Sequence, residues 1–339
     1  MVNPLVSICI PVYNGEKFLK KTIESILVQT FKDFELVILG NASTDKTSEI
    51  VKNFKDSRIK YYRNEKTVLS PLNWSKATKL AKGAYVCLFH ADDIYLPEIV
   101  EQQVKTLKEN PDVGAVFTEA NIINSEDKIV DELILKKNLK DNKYFTYKEL
   151  IILLVRDVYN PLICPSLMAR RELIQNLLPY DYKNYKYVFD LDMFLRMAQK
   201  ANIAILPEKL MNYRIHAQQG SASLAMENRD HNELYDMLDK FISQDPSIFT
   251  KKDLDRYYCH KQWDLTVHAV KALYGNKITM AKSLLKKSIS YKRFLTSLTD
   301  FHLFVKFWVS VIFLFASYVG LGTFLAKLAV AEKMKRFNR

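Results

Sequence analysis

Short β-rich runs alternate with amphipathic segments through the first 120 residues, and few architectures accept that rhythm. Leu5–Ile10, Phe34–Leu39, Arg58–Arg63, Tyr85–Phe89 and Val113–Thr118 are short and rich in Val, Ile, Leu, Tyr or Phe, as strands are. Between the first two, Phe18, Leu19, Thr22, Ile23, Ile26 and Leu27 fall on one face of a helix. A second helix is expected after Ser43, with Thr44 and Asp45 available to cap it, and a third over Pro71–Lys82. Pro97 suits the first turn of a fourth. Strand–helix–strand repetition predicts an α/β fold with a mainly parallel sheet and helices on both faces. Such a sheet binds its ligand in the loops past the carboxyl ends of its strands. Here those loops are Pro11–Gly15, Gly40–Asp45, Arg63–Ser70 and His90–Tyr95, and the polar residues gather in them.

Past Ile129 the pattern is mixed. Helices are expected near Lys148–Arg156 and Asp190–Lys200, with short β runs at Ile203–Leu206 and Leu210–Arg214. Residues 227–293 read as helices. The division this implies is a main domain over 1–225, a helical extension over 226–293 and a distinct tail over 294–339.

Charge follows the same division. The chain has 50 Lys+Arg against 38 Asp+Glu, yet residues 271–339 alone hold 13 of the former and two of the latter. The first 270 residues are left with a net charge of +1, which argues against a nucleic-acid partner for the main domain. Cys9, Cys87, Cys164 and Cys259 have no paired spacing of the kind that binds zinc or cycles disulfides, so reduced, structural thiols are expected.

Two acidic clusters carry candidate chemistry. His90-Ala91-Asp92-Asp93 closes an apolar strand, where adjacent carboxylates repel unless a cation or ligand compensates. Oxygen donors suit Mg²⁺ or Mn²⁺, so Asp92 and Asp93 are candidate metal ligands; a plain loop with a helix cap is the alternative. Asp190-Leu191-Asp192 opens a helix, and Asp190 is either an N-cap or a general base.

The order of the motifs adds to this. Val6–Gly15 (VSICIPVYNG), Ser25–Leu36, Asn41–Thr47 (NASTDKT), Ala81–Val86 with the His90–Asp93 cluster, Asp190–Ala198 and Tyr213–His216 resemble, in sequence, the family 2 glycosyltransferases of the GT-A fold. The resemblance implies inverting transfer of a sugar from a nucleotide-sugar donor to an acceptor hydroxyl. It makes Asp190 the catalytic base, Asp92 the last carboxylate of an Asp-x-Asp metal motif, and His216 a group at the diphosphate or metal. Pro11, Tyr13, Asn14 and Asn41 then fall in the nucleotide loops, with Tyr13 able to stack on the base. Trp74 is expected to pack rather than to contact the donor.

Two positions depart from the family. Gly40 stands where an acidic residue commonly binds the base, and His90 stands for the first carboxylate of Asp-x-Asp. UDP is the favoured nucleotide. No Gln-x-x-Arg-Trp is present, which points to single addition and not polymer synthesis.

Phe307–Ala326 is a 20-residue uncharged run bounded by Lys306 and Lys327, with Gly320 and Gly322 inviting a bend. Both flanks are basic, which suits a segment lying in an anionic leaflet better than a span, though a single span and a buried helix stay open. The expected partners are a nucleotide-sugar, a glycan or polyprenyl-linked acceptor and a lipid surface at the cytoplasmic face of the cell membrane. The oligomeric state is left open. The competing reading is a non-catalytic subunit that keeps the fold and docks partners in a membrane glycan-assembly complex.

Overall fold

The computed structural model describes residues 3–217, 219 and 232–337. It forms two compact units, one from Met1–Ile151 with Asn160–Ala222 and the other from Ile152–Tyr159 with Ser223–Arg339. Residues 226–293 and 294–339, separate at the level of sequence, thus fall in one unit.

The first unit is built on strands β1 Val6–Val12, β2 Phe34–Gly40, β3 Ile59–Arg63, β4 Tyr85–Leu88, β5 Ile94–Tyr95, β6 Val113–Ile123, β7 Ile129–Leu133, β8 Tyr144–Phe145, β9 Met168–Arg170 and β10 Asn202–Arg214. Its helices are α1 Leu19–Leu27, α2 Thr47–Asn53, α3 Ser70–Leu80, α4 Ile99–Glu109, α5 Tyr147–Asp157, α6 Arg171–Asn176 and α7 Phe189–Ala198. α5 runs on into the second unit. The strands make one sheet in the order β3-β2-β1-β4-β9-β6-β10-β5, with β7 on β6 and β8 on β10.

Every residue of β2 is buried, as befits a central strand covered on both faces. β1, β2, β3 and β4 pair in parallel, as the alternation predicts. The sheet then becomes mixed, because β9 enters antiparallel between β4 and β6. Three residues after a proline-containing turn are too few to carry a periodic signal, so β9 is not legible in the sequence. The two β runs expected at 203–206 and 210–214 join as one strand, β10. Pro207 has no N–H to offer, and the register with β6 shifts on either side of Lys209.

Helix α1 buries Leu19, Thr22, Ile23 and Ile26, the stripe read from the sequence. Thr22 also sends its hydroxyl to the carbonyls of Ala91 (3.1 Å) and Asp93 (2.7 Å), so α1 fixes the turn between β4 and β5. β5 pairs with the far end of β10, Tyr95 opposite Met211. That pairing brings the His90–Asp93 turn to Arg214 and His216, more than 120 residues on.

The second unit is helical: α8 Glu233–Gln244, α9 Lys251–Tyr274, α10 Ile278–Ser288, α11 Tyr291–Ser297, α12 Phe301–Tyr318 and α13 Gly322–Phe337. Thr250 and Asp253 form a reciprocal capping box that starts α9. The uncharged run at 307–326 is broken between α12 and α13, at Gly320, whose φ of +84° favours glycine. All four cysteines are free thiols, Cys9, Cys87 and Cys259 buried.

Candidate active site

Beyond the carboxyl ends of β1 and β4 lies a cleft of about 220 Å³ lined by Pro11, Tyr13, Asn14, Trp74, Asp92 and His216, among others. Its floor is the β4–β5 turn. His216 Nε2 lies 3.0 Å from Asp92 Oδ2, and the His216 ring leans on Phe18. Burial pushes the Asp92 carboxyl up, but the His216 hydrogen bond and the two nearby imidazoles outweigh it and hold it below the usual carboxylate range. Asp92 is therefore an anion in the wall of the cleft.

Asp93 is placed differently. It is 1% exposed, its Oδ1 accepts the Arg214 backbone N–H at 2.8 Å, and its Oδ2 has no hydrogen-bond partner among the described residues. Burial, reinforced by the Asp92 charge, raises its carboxyl well above the ordinary value. His90, Asp92 and Asp93 each offer a donor atom within 4.8 Å of the others.

Arg214 holds this turn in place. Its guanidinium donates to the Asp92 carbonyl (2.7 Å) and the Asn124 carbonyl (2.9 Å), pairs with Asp127 and lies 4.5 Å from the Phe18 ring centroid. Sequence reading singles out His216 in this segment and passes over Arg214. An arginine in the last position of an alternating strand carries no mark of being 1% exposed.

Asp190 stands in the first turn of α7 and is not its N-cap, which is Val188. One of its oxygens accepts the Leu191 N–H at 2.8 Å and the carboxylate also takes a hydrogen bond from the Cys164 thiol. Cys164 Sγ in turn lies 3.7 Å from His90 Nε2. Trp74 packs on His90 and on Phe189, at ring-centroid distances of 5.1 Å each, so it both packs and lines the cleft. Asp190 and Asp92 thus both lie near His90 from different elements, with the Cys164 thiol between Asp190 and the imidazole. Burial raises the Asp190 carboxyl above its ordinary value, partly offset by those two hydrogen bonds. The base that the family resemblance would make of Asp190 must be deprotonated to act. The acidic limb of kcat/KM is therefore expected at higher pH than for an ordinary carboxylate, and a pH–rate profile of the wild type against Cys164→Ala checks it. Loss of the thiol donor moves that limb further up.

The loops after β1 and β2 are tied to one another. Asn14 has a φ of +50°, which asparagine tolerates, and joins the loops through the Ser43 hydroxyl (3.0 Å) and the Thr44 N–H (3.0 Å). Tyr13 is 53% exposed beside it. Asn41, expected to face the nucleotide, also ties down the neighbouring loop. It is buried, its amide N–H goes to the Val68 carbonyl, and its oxygen accepts from Val68 N and Asn64 Nδ2. Its oxygen is thus taken up in closing the 64–69 loop, and one of its two amide N–H groups remains for a ligand. At Gly40 a Cβ would meet the Tyr61 hydroxyl at 2.8 Å, and that hydroxyl is paired with Ser48. The space of the missing side chain is filled by Tyr61.

Comparison with known proteins gives the family. The sequence profile described as Glycosyl transferase family 2 matches residues 7–178. An uncharacterized glycosyltransferase of Methanocaldococcus jannaschii, MJ1057, is 34% identical over 221 residues, 63% of this chain and 72% of that protein. The Escherichia coli UDP-Glc:alpha-D-GlcNAc-diphosphoundecaprenol beta-1,3-glucosyltransferase WfgD is 30% identical over 164 residues, 48% of this chain and 64% of that one. The crystal structure of S. aureus TarS 1-349 in complex with UDP-GlcNAc superposes with a TM-score of 0.61 at 15% identity, over 93% of this chain and 91% of that one. A profile spanning half the sequence, a relative sharing a third of its aligned residues and a common fold lead to one assignment: this chain belongs to glycosyltransferase family 2 and is a GT-A-fold glycosyltransferase.

Proposed function

We propose that the protein is an inverting, non-processive transferase that moves a sugar from a nucleotide-sugar, UDP-linked by preference, to a hydroxyl of a lipid-linked glycan in surface polysaccharide or glycoconjugate assembly. The observation that carries this reading is the pairing of two carboxylates of opposite character around His90. Asp92, held anionic by His216, faces the cleft where a leaving diphosphate would lie. Asp190, with its carboxyl raised, is suited to take a proton from an incoming hydroxyl. Attack from one side with departure on the other inverts the anomeric carbon. Pro11, Tyr13 and Asn14 would hold the nucleotide. The lipid-linked acceptor is supported by the name of the E. coli relative, and the uridine nucleotide by the ligand in the TarS crystal.

The donor set fits a hard divalent ion, because the buried Asp93 Oδ2 is otherwise unpartnered beside Asp92 and His90. Mg²⁺ or Mn²⁺ on Asp92 and Asp93 would neutralise charge growing on the diphosphate. EDTA treatment is expected to lower transfer by on the order of 10²-fold, with recovery on adding Mn²⁺ or Mg²⁺. Undiminished turnover in EDTA sinks the metal assignment.

The reading as a whole is tested by incubating the full chain with a panel of nucleotide-sugars and a diphosphoundecaprenol-linked saccharide. One sugar added per acceptor with inverted anomeric configuration by NMR is the expected product. Retention, repeated addition, or turnover of no donor refutes it. We further infer that the second unit associates with the cytoplasmic face of the membrane, where such an acceptor resides.

A further inference from the structure

We infer that α12 is an in-plane membrane-binding helix, and that its outward stripe is the surface that enters an anionic leaflet. This rests on the membrane-associated reading above and names the face, the mode and the lipid charge.

The helix has two unlike sides. Leu303, Phe307, Ser310, Phe313 and Ser317 are buried within the second unit. Phe301, Val305, Trp308, Ile312 and Phe315 are exposed at alternating spacings of four and three, the period of one continuous helical stripe. Phe301 is 82% exposed and Phe315 is 69% exposed. Lone exposed apolar residues are ordinary, but five in register over four turns are not. Beyond the bend the exposed apolar residues continue at Leu321, Phe324 and Leu328.

Length and composition would let α12 cross a bilayer, but its packing does not. Its buried side is fastened to the rest of the unit by polar contacts: Ser310 to Thr266 at 2.8 Å, and the Lys306 carbonyl to Arg293 at 3.2 Å. A transbilayer α12 would have to shed α9 and α11 or carry their Asp, Arg and Lys side chains into hydrocarbon. A helix buried on one side and apolar on the other is suited to lie flat.

Charge selects the occupant. At the carboxyl end of the stripe, the ammonium groups of Lys282 and Lys286 sit 4.3 and 5.7 Å from the Tyr318 ring. Lys287 and Lys327 are also exposed. Tyr, Trp and Lys around an apolar face are the residues that settle at a headgroup boundary. A second copy of this chain would bring the same basic rim against itself, at a cost in like-charge repulsion. An anionic leaflet meets it with opposite charge.

The test uses the purified chain and preformed vesicles of phosphatidylcholine alone or with about 30% phosphatidylglycerol as the probe, since basic residues near the surface favour the anionic leaflet. Co-flotation with the anionic vesicles, weakened at least tenfold without phosphatidylglycerol or in high salt, is expected. Phe301→Glu with Phe315→Glu should lose at least tenfold in vesicle binding. Both side chains point to solvent, so thermal unfolding and transfer to a detergent-soluble acceptor should stay as in the wild type. Tryptophan emission should be quenched by bromines near the headgroups more than by bromines at the chain ends, and Trp308→Phe should remove that quenching.

Binding that ignores lipid charge, survives the double substitution, or is quenched most from the bilayer centre overturns the proposal. So does a dimer in solution that the double substitution dissociates, since a second copy then covers the stripe. Vesicle binding is read without donor or acceptor, so its failure is separate from failure of the transferase reading.

Discussion

Asp190→Asn is expected to lower kcat by about 10²–10⁴-fold while leaving donor affinity in place. The amide keeps the shape of the carboxylate and can still accept the Leu191 N–H, so α7 starts as before. What it loses is the ability to take a proton. The hydrogen bonds from Cys164 and the Leu191 N–H hold the carboxyl in one orientation. Asp192, two residues on, does not substitute for it. It is fully buried and paired with Arg196 at 2.7 Å, on the inward side of the helix. Single-turnover rates with saturating donor, together with donor binding by calorimetry, separate the two effects. A variant that transfers at the wild-type rate removes Asp190 from the mechanism. One that loses donor binding to the same degree as kcat makes it a binding residue instead.

The contrast between Asp190 and Asp192 shows what sequence can and cannot reveal in this chain. Both are acids at the start of an apolar helix, and either reading of the first, cap or base, agrees with that pattern. Only the three-dimensional neighbours distinguish them: a thiol and His90 for one, an arginine one turn away for the other. The parallel strands β1–β4 and their loops are legible because they are local: β1, β2 and β4 are apolar runs, and helices follow β1, β2 and β3 directly. β9, the union of two runs into β10 and the position of Asn41 depend on partners 20 to 100 residues away. Asn41 shows the difference most clearly. Its place in the loop after β2 is visible in the sequence, whereas the use of its amide oxygen by Val68 and Asn64 is not. The tail is legible as basic and apolar, with a bend at its glycines that the structure places at Gly320, but which of its apolar residues face outward is decided by how α12 packs.

Arg214→Met is expected to cost about 3–5 kcal/mol of stability, the range for breaking a buried charged network by removing one member. The methionine can fill the space over Phe18 but strands the carbonyls of Asp92 and Asn124, which lose their donor without gaining water. Asp127 keeps one partner, Lys21, at the more exposed end of the network. The effect on chemistry should be as large as that on folding. The carbonyl of Asp92 is what Arg214 grips, and a turn that drifts by about 1 Å moves the carboxylate off the donor's diphosphate, which can cost on the order of 10²-fold in rate. Arg214→Lys retains the charge and not the fork, so it should recover part of the stability and little of the rate, because one ammonium cannot reach both carbonyls and Asp127 in the same geometry. Denaturant unfolding and kcat/KM measured on all three proteins decide the matter. If Arg214→Met unfolds like the wild type, the network is ornamental. If it is destabilised yet transfers at full rate, the Asp92 turn is held by Thr22 and Tyr95 alone, and the placement of the carboxylate does not depend on Arg214.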